Sequence, residues 1–196
     1  MPQQPRARLT FDSILDASAR ILGELGYDAL TTNGAAAVAG VAVGGVYAYF
    51  PNKETIVAEL VRRTIADILV EIEQTFAAAG TLADSGEAIE QLVRQSAQVL
   101  ARRRELLRVF FEQVPFLSDL DEVKTFPFKL FEIAWRSRAI SHPGVSENNE
   151  LARAYLYLLI PIGRWVPYAA IIDRPAWLSA EAAEEAMVTI FRRLLA

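Results

Sequence analysis

Apolar residues recur at spacings of three and four along nearly the whole chain, and few segments alternate, which predicts an all-α protein. A first helix is expected over residues 9–25. Thr10 can cap it, Leu9 can staple onto Ile14, and Ile14, Leu15, Ser18, Leu22 and Leu25 share a face. Gly26 suits a left-handed stop. A second helix should follow Thr31 and run to Ala39. Gly40-Val41-Ala42 reads as a tight turn, and residues 43–49 as a short third helix. In that helix Val43, Val46 and Phe50, spaced by three and four, should form the packed face. Pro51 breaks the chain and Asn52 caps a long helix with the stripe Ile56, Leu60, Ile65, Ile68, Leu69, Ile72 and Phe76. Beyond Gly80, Asp84 and Glu87 form a capping-box pattern, and helical spacing continues until Pro115. Further helices are expected over 127–140, with Pro127 in the first turn, and over 147–171, kinked by Pro161 and Pro167. The last should start at Ser179, with acids early and Arg192 and Arg193 late, as the helix dipole prefers. No internal repeat or low-complexity segment interrupts this pattern.

The chain has 196 residues, 53% of them hydrophobic, enough for a real core. It has no cysteine, which removes disulfides, thiolate metal sites and cysteine nucleophiles and suits a reducing, cytoplasmic setting. The N-terminus does not read as a signal peptide. Residues 29–52 carry no charged side chain, a length that could span a bilayer. Yet the segment holds Gly34, Gly40, Gly44, Gly45, Thr31, Thr32 and Asn33, and alanine where a spanning helix would use leucine. The net charge of −4 means that any attraction to a polyanion must be local.

The stretch VAVGGVYAYFPNKE, residues 41–54, is the most informative. Two short helices joined by a tight glycine turn are the pattern of a helix-turn-helix, whose second helix enters the DNA major groove. Glycine inside a helix costs about 1 kcal/mol relative to alanine. Gly44 and Gly45 therefore need a reason: close packing against neighbouring helices, or backbone approach to phosphates and base edges. Tyr47, Ala48 and Tyr49 cannot all point inward, so at least one tyrosine hydroxyl should face outward, where it suits a phosphate oxygen. Lys53 stands against the positive end of a helix dipole; a phosphate there would reverse the unfavourable sign. The alternative is an ordinary solvated lysine.

These residues resemble the DNA-binding domain of TetR-type transcriptional regulators. The likeness is carried by Gly26-Tyr27, Ala39-Gly40-Val41, Gly44, Tyr47 and Tyr49-Phe50-Pro51-Asn52-Lys53-Glu54, within the first quarter of the chain. The remainder resembles the family in length and helical character. The resemblance implies a three-helix head over 1–53, and a helical ligand-binding and dimerisation body over 54–196, about nine helices in all. It places Thr31, Tyr47, Tyr49 and Lys53 at phosphate-contact positions. It also places Asn33, Ala42, Val43, Gly44, Gly45 and Ala48 near base edges or backbone, with Thr32 among the DNA-binding residues and Arg6 and Arg8 as a candidate N-terminal arm. The last two helices would dimerise, and the body would enclose a small molecule.

The departures from that pattern carry their own expectations. Ala42 stands where serine is frequent and is a poor N-cap. Asn33-Gly34-Ala35 replaces a polar pair and a large aliphatic residue, which should loosen head packing. Up to Lys53 the basic residues Arg6, Arg8, Arg20 and Lys53 are matched by Asp12, Asp16, Glu24 and Asp28, and residues 43–49 carry no charge. Affinity for DNA grows with the phosphates neutralised. The head should bind DNA with a shallow salt dependence, or have partly lost that function.

Catalytic and cofactor chemistry has little to stand on. His142 is the single histidine, so the common zinc sets are missing. No nucleophile elbow, phosphate loop or dinucleotide fingerprint is present, and no cofactor is expected. A ligand pocket has better candidates, since pockets are lined by aromatics with a few orienting polar groups. Phe110, Phe111, Phe131, Trp135, Tyr157, Trp165 and Tyr168 supply the aromatics. Pro161 frees the carbonyl of Tyr157, and Arg164 and Glu112 are charges in apolar company. Core packing is the competing explanation for the aromatics. For Arg164 it is an ion pair with Glu112 or Glu132, or a buried stem with a solvated head. Arg102, Arg103 and Arg104 read as a solvated face, with an anion site or a head–body contact as the alternatives. The reading is a homodimeric regulator of transcription, a repressor released from double-stranded DNA by a small apolar or aromatic ligand, with no membrane partner. The rivals are a ligand-binding or interaction protein of the same fold that no longer binds DNA, and, more remotely, a helical enzyme.

Overall fold

The structure is a computed structural model that describes residues 5–79, 85–137, 154, 158, 161–162 and 165–195. The α-helices of these residues are α1 (Pro5–Leu25), α2 (Thr32–Ala39), α3 (Val43–Tyr47), α4 (Lys53–Ala79), α5 (Ser85–Ala101), α6 (Arg104–Gln113), α7 (Asp121–Ser137) and α8 (Ala180–Leu195). A 3-10 turn spans Leu117–Asp119 and a π-helical turn Tyr168–Ile172. No strand occurs among the described residues, and the fold is all-α. No helix among them is long and apolar enough to cross a membrane.

Two helices start earlier than the pattern predicts. α1 begins at Pro5, where a missing N–H costs nothing because first-turn donors have no helical partner. Thr10 is therefore interior, its hydroxyl donating to the Arg6 carbonyl at 3.2 Å, and Leu9 is 69% exposed. Neither the cap nor the staple forms. α7 begins at Asp121, with Asp121 and Glu122 favouring its dipole, so Pro127 lies inside it rather than in its first turn. Asp84, the expected cap of α5, and residues 147–153 of the expected long helix lie outside the described residues.

The chain gathers into two compact units. The first joins Met1–Thr64 to Glu105–Glu122. Its core is closed by Ile14, Leu15 and Leu22 of α1 with Leu30, Val46, Ile56 and Val57, all essentially without exposure. Burying each such side chain contributes about 1.5–3 kcal/mol. Ser18 is buried among them and satisfied, its hydroxyl donating to the Ile14 carbonyl at 2.8 Å.

The second unit joins Ile65–Arg104 to Val123–Ala196. Here α5 packs on α8, and both meet the π-helical turn. Ala79, Ala88 and Leu92 bury against Phe76, while Ala183, Met187 and Val188 form the buried stripe of α8. Ser179 caps α8 by accepting from the Ala182 N–H at 3.1 Å. Arg94 ties α5 to α8, donating to Glu184 at 2.7 Å and Glu185 at 2.8 Å, and Arg192 reaches back to Glu90 at 2.6 Å. The hydrogen bond from Arg94, with Arg192 nearby, holds the Glu90 carboxyl below the usual carboxylate range. The Arg102–Arg104 cluster is not a free face. Arg102 and Arg103 both pair with Glu71, and Arg104 Nε donates to the Ile171 carbonyl at 2.7 Å.

Candidate nucleic-acid interface

The interface is built from the helix-turn-helix of the first unit. Thr31 is extended (φ −133°, ψ 156°) and its hydroxyl accepts from the Gly34 N–H at 2.9 Å, capping α2. Gly34 is what makes room for this. A Cβ at that position would stand 3.0 Å from Thr31 Oγ1. Ala35 and Ala36 are buried at 0% and 1% exposure. At the other end Gly40 takes φ +68°, and the Val41 N–H reaches the Ala36 carbonyl at 3.1 Å, closing the left-handed turn into α3. Ala42 is the N-cap of α3 and provides no side-chain bond, as its chemistry dictates.

α3 is shorter than expected, ending at Tyr47. Val46 is fully buried, and Phe50, at 3%, stacks on Phe11 of α1 at 5.0 Å. Tyr49, half-buried, meets the edge of the same Phe11 ring at 5.8 Å. Val43 was assigned to the packed face, and this is a correction: it is 41% exposed. Val46 and Phe50 keep the spacing of four, the Phe50 N–H reaching the Val46 carbonyl at 2.9 Å, while Val43, the first residue of α3, lies outside the packed face. Gly44, Ala42 and Ala48 are exposed and Gly45 half-exposed. A Cβ at Gly44 or Gly45 would find nothing within 4 Å, so packing within this chain does not require either glycine.

Tyr47 is the outward tyrosine, 52% exposed. Its oxygen accepts from the Thr32 hydroxyl at 3.1 Å, which fixes the ring while leaving its own proton to donate. Thr31, Thr32, Asn33 and Tyr47 thus gather hydroxyls and an amide at the start of α2. Arg6 and Arg8 are exposed in the opening turns of α1, helical rather than an extended arm.

Lys53 has a setting that sequence reasoning missed. Its ammonium lies 4.1 Å from the centroid of the Tyr27 ring and donates to the Tyr27 carbonyl at 3.3 Å. Tyr27 is in turn held by α6: Gln113 Oε1 accepts its backbone N–H at 2.9 Å, and Phe116 packs edge-on against its ring at 6.4 Å. Burial, with the Glu54 carboxylate 3.5 Å from the phenol, pushes the Tyr27 hydroxyl up from its ordinary pKa. Asn52 caps α4 by accepting from the Thr55 N–H at 2.9 Å. Two other cations of the unit have carboxylates close by. Arg62 pairs with Glu59, and Arg63 lies 3.4 Å from both Asp12 and Asp16.

The candidate ligand residues are less gathered. Phe110 is buried in the core of the first unit, with Phe111 40% exposed and Glu112 exposed. In the second unit Trp165 is 60% exposed and meets Tyr168 edge-on at 5.8 Å, and Pro161 is exposed. Phe131 and Trp135 lie on α7. Their side chains, with Tyr157 and Arg164, lie outside the described residues. Glu132 pairs with Arg136 at 3.3 Å. Among the described residues no group of three or more His, Cys, Asp or Glu side chains could hold a metal.

Residues 14–60 match the family model of bacterial regulatory proteins, tetR family. No match was found among curated proteins. Similar solved structures include a protein described as a TetR-family transcriptional regulator from Mesorhizobium loti MAFF303099, 18% identical, with 98% of each chain covered and a TM-score of 0.77. A TetR-family transcriptional regulator from Streptomyces coelicolor is 21% identical, with 97% of each chain covered and a TM-score of 0.66. The fatty acid degradation regulator FadR from Bacillus halodurans is 18% identical, covering 100% of this chain and 96% of that one, also with a TM-score of 0.66. At these identities the structures establish a shared fold.

Proposed function

We propose, from the match of residues 14–60 to the tetR-family model and a fold shared with TetR-family structures, a one-component transcriptional regulator that binds a palindromic operator as a homodimer and leaves it when a small apolar ligand occupies the body. The observation that carries this reading is the surface of α3. Gly44 is exposed with nothing within 4 Å of its missing Cβ, beside a half-exposed Tyr47 whose hydroxyl can donate outward. A helix that spends about 1 kcal/mol per glycine without an internal need for it gains by letting another backbone come close.

Thr31, Tyr47 and Lys53 take phosphates in this reading, with Tyr49, Arg6 and Arg8 at the margins. Thr32, Asn33, Ala42, Val43, Gly44, Gly45 and Ala48 face the bases. Two heads roughly 34–36 Å apart fit successive major-groove turns. A ligand acts by binding more tightly to the state in which that spacing is lost, since equal affinity for both states would shift nothing. Phe111, Glu112, Pro161, Trp165 and Tyr168, with Phe110, Phe131, Trp135, Tyr157 and Arg164, are the residues proposed to serve it. The chain acts as a cytoplasmic repressor rather than an enzyme.

A second reading is favoured by one specific observation, the absence of any charge on α3: a protein of this fold that keeps a ligand or partner and has lost DNA. Capture and sequencing of genomic DNA by the purified protein, with its own upstream region as control and binding repeated at two salt concentrations, separates them. Retention of a discrete fragment with a shallow salt slope supports the regulator. No retention at low salt supports the second reading.

A further inference from the structure

We propose that the operator half-site is read through the 5-methyl groups of thymine, with Val43 and Ala48 as the specificity-determining side chains. This rests on the DNA-binding reading above and narrows it to a class of base sequence. Val46 is the buried anchor of α3. At 100° per residue Gly44 and Ala48 point almost directly away from it, and Val43 and Tyr47 form the adjacent row. These two rows are exposed in the structure.

What they can read is limited by their chemistry. In the major groove guanine shows two acceptors, cytosine an amino donor, and adenine an acceptor beside a donor. Each is recognised by a side chain with matching polar atoms. Ala42, Val43, Gly44 and Ala48 have none, and the Tyr47 hydroxyl, held by Thr32 at 3.1 Å, is the group given to a phosphate oxygen in the reading above. The remaining mark in the groove is the thymine methyl, which is apolar and is recognised by apolar contact. Gly44 sets the distance. With no side chain at the front of the helix and open space before it, the backbone can come to van der Waals range of the bases. The isopropyl group of Val43 and the methyl group of Ala48 then meet thymine methyls on either side. Val43 is a β-branched apolar residue left 41% exposed, and this contact gives it a partner. Asn33, exposed at the start of α2, is the amide placed to pair with an adenine edge.

The test uses the full-length protein and the fragment it retains from genomic DNA, copied once with thymidine and once with deoxyuridine, which removes only the methyl groups. The expected result is weaker binding of the deoxyuridine copy. In singly substituted duplexes the loss should reach about fourfold at each contacted thymine, the value of one buried methyl-sized group. Val43→Ser, which removes both methyl groups at an exposed position, should erase the thymine preference at one position per half-site and leave the others. Equal affinity for the two copies overturns the proposal while leaving the regulator reading intact. A Val43→Ser protein with an unchanged thymine preference removes Val43 from it. Retention of no DNA overturns both.

Discussion

Gly26 and Gly40 end helices, whereas Gly44 and Gly45 lie inside one, and the structure treats the two pairs differently. Gly26 and Gly40 have φ of +86° and +68°, in the region where a Cβ is strained. At Gly26 an added Cβ would also stand 2.7 Å from Gln113 Oε1, the atom that holds Tyr27. The fold itself requires these glycines. Gly44 and Gly45 are in ordinary helical backbone with empty space before them. A side chain at either position would meet nothing within the chain. Open space alone does not mark a site, since Gly23 inside α1 has it too; two adjacent glycines in a five-residue helix with an exposed face point to something outside the fold.

The comparison can be broken in order of effect. Gly26→Ala should destabilise the protein by about 1–3 kcal/mol, from left-handed strain and the displaced Gln113, measured as a lower urea midpoint. An unchanged midpoint would remove the distinction between the two pairs. Gln113→Ala leaves the Tyr27 N–H without its partner and should cost about 1 kcal/mol in the same measurement. A loss in Gln113→Ala as large as in Gly26→Ala would place the whole Gly26 effect in the side-chain contact rather than in the backbone. The smallest effect lies in the second unit. The hydrogen bond from Arg103, joined by Arg102, holds Glu71 below the usual carboxylate range. A lowered carboxyl stabilises the folded state above the ordinary glutamate value, about 4.3, and the contribution disappears as pH falls through the lowered value. Glu71→Gln should therefore cost about 0.2–1 kcal/mol at neutral pH, with the gap to the native protein closing in acid. A gap that persists in acid would show that the ion pair is not its source.

Much of this was legible in the sequence, for identifiable reasons. The stop at Gly26, the helix start after Thr31, the turn at Gly40 and the cap at Asn52 depend on local chemistry, and each stands where that chemistry puts it. Starts of helices were read less well, because Thr10 has the chemistry of a cap but also bonds back to a carbonyl from inside a helix. Val43 does not join the packed face that its spacing suggests, because it is the first residue of α3 and stays 41% exposed, whereas Val46 and Phe50 are buried. The Lys53–Tyr27–Gln113 arrangement was illegible for a different reason. Gln113 stands 86 positions from Tyr27, and nothing local to either residue marks the pairing.

The most direct test is the pair Gly44→Ala and Gly45→Ala, followed for stability and for binding to the retained genomic fragment. With open space at both positions, each alanine should raise stability by about 1 kcal/mol, while the added methyl groups hold the helix away from DNA and weaken binding at least tenfold. Proteins that are more stable and bind as well as before, or that lose stability, would contradict the claim that these glycines serve a surface outside the chain.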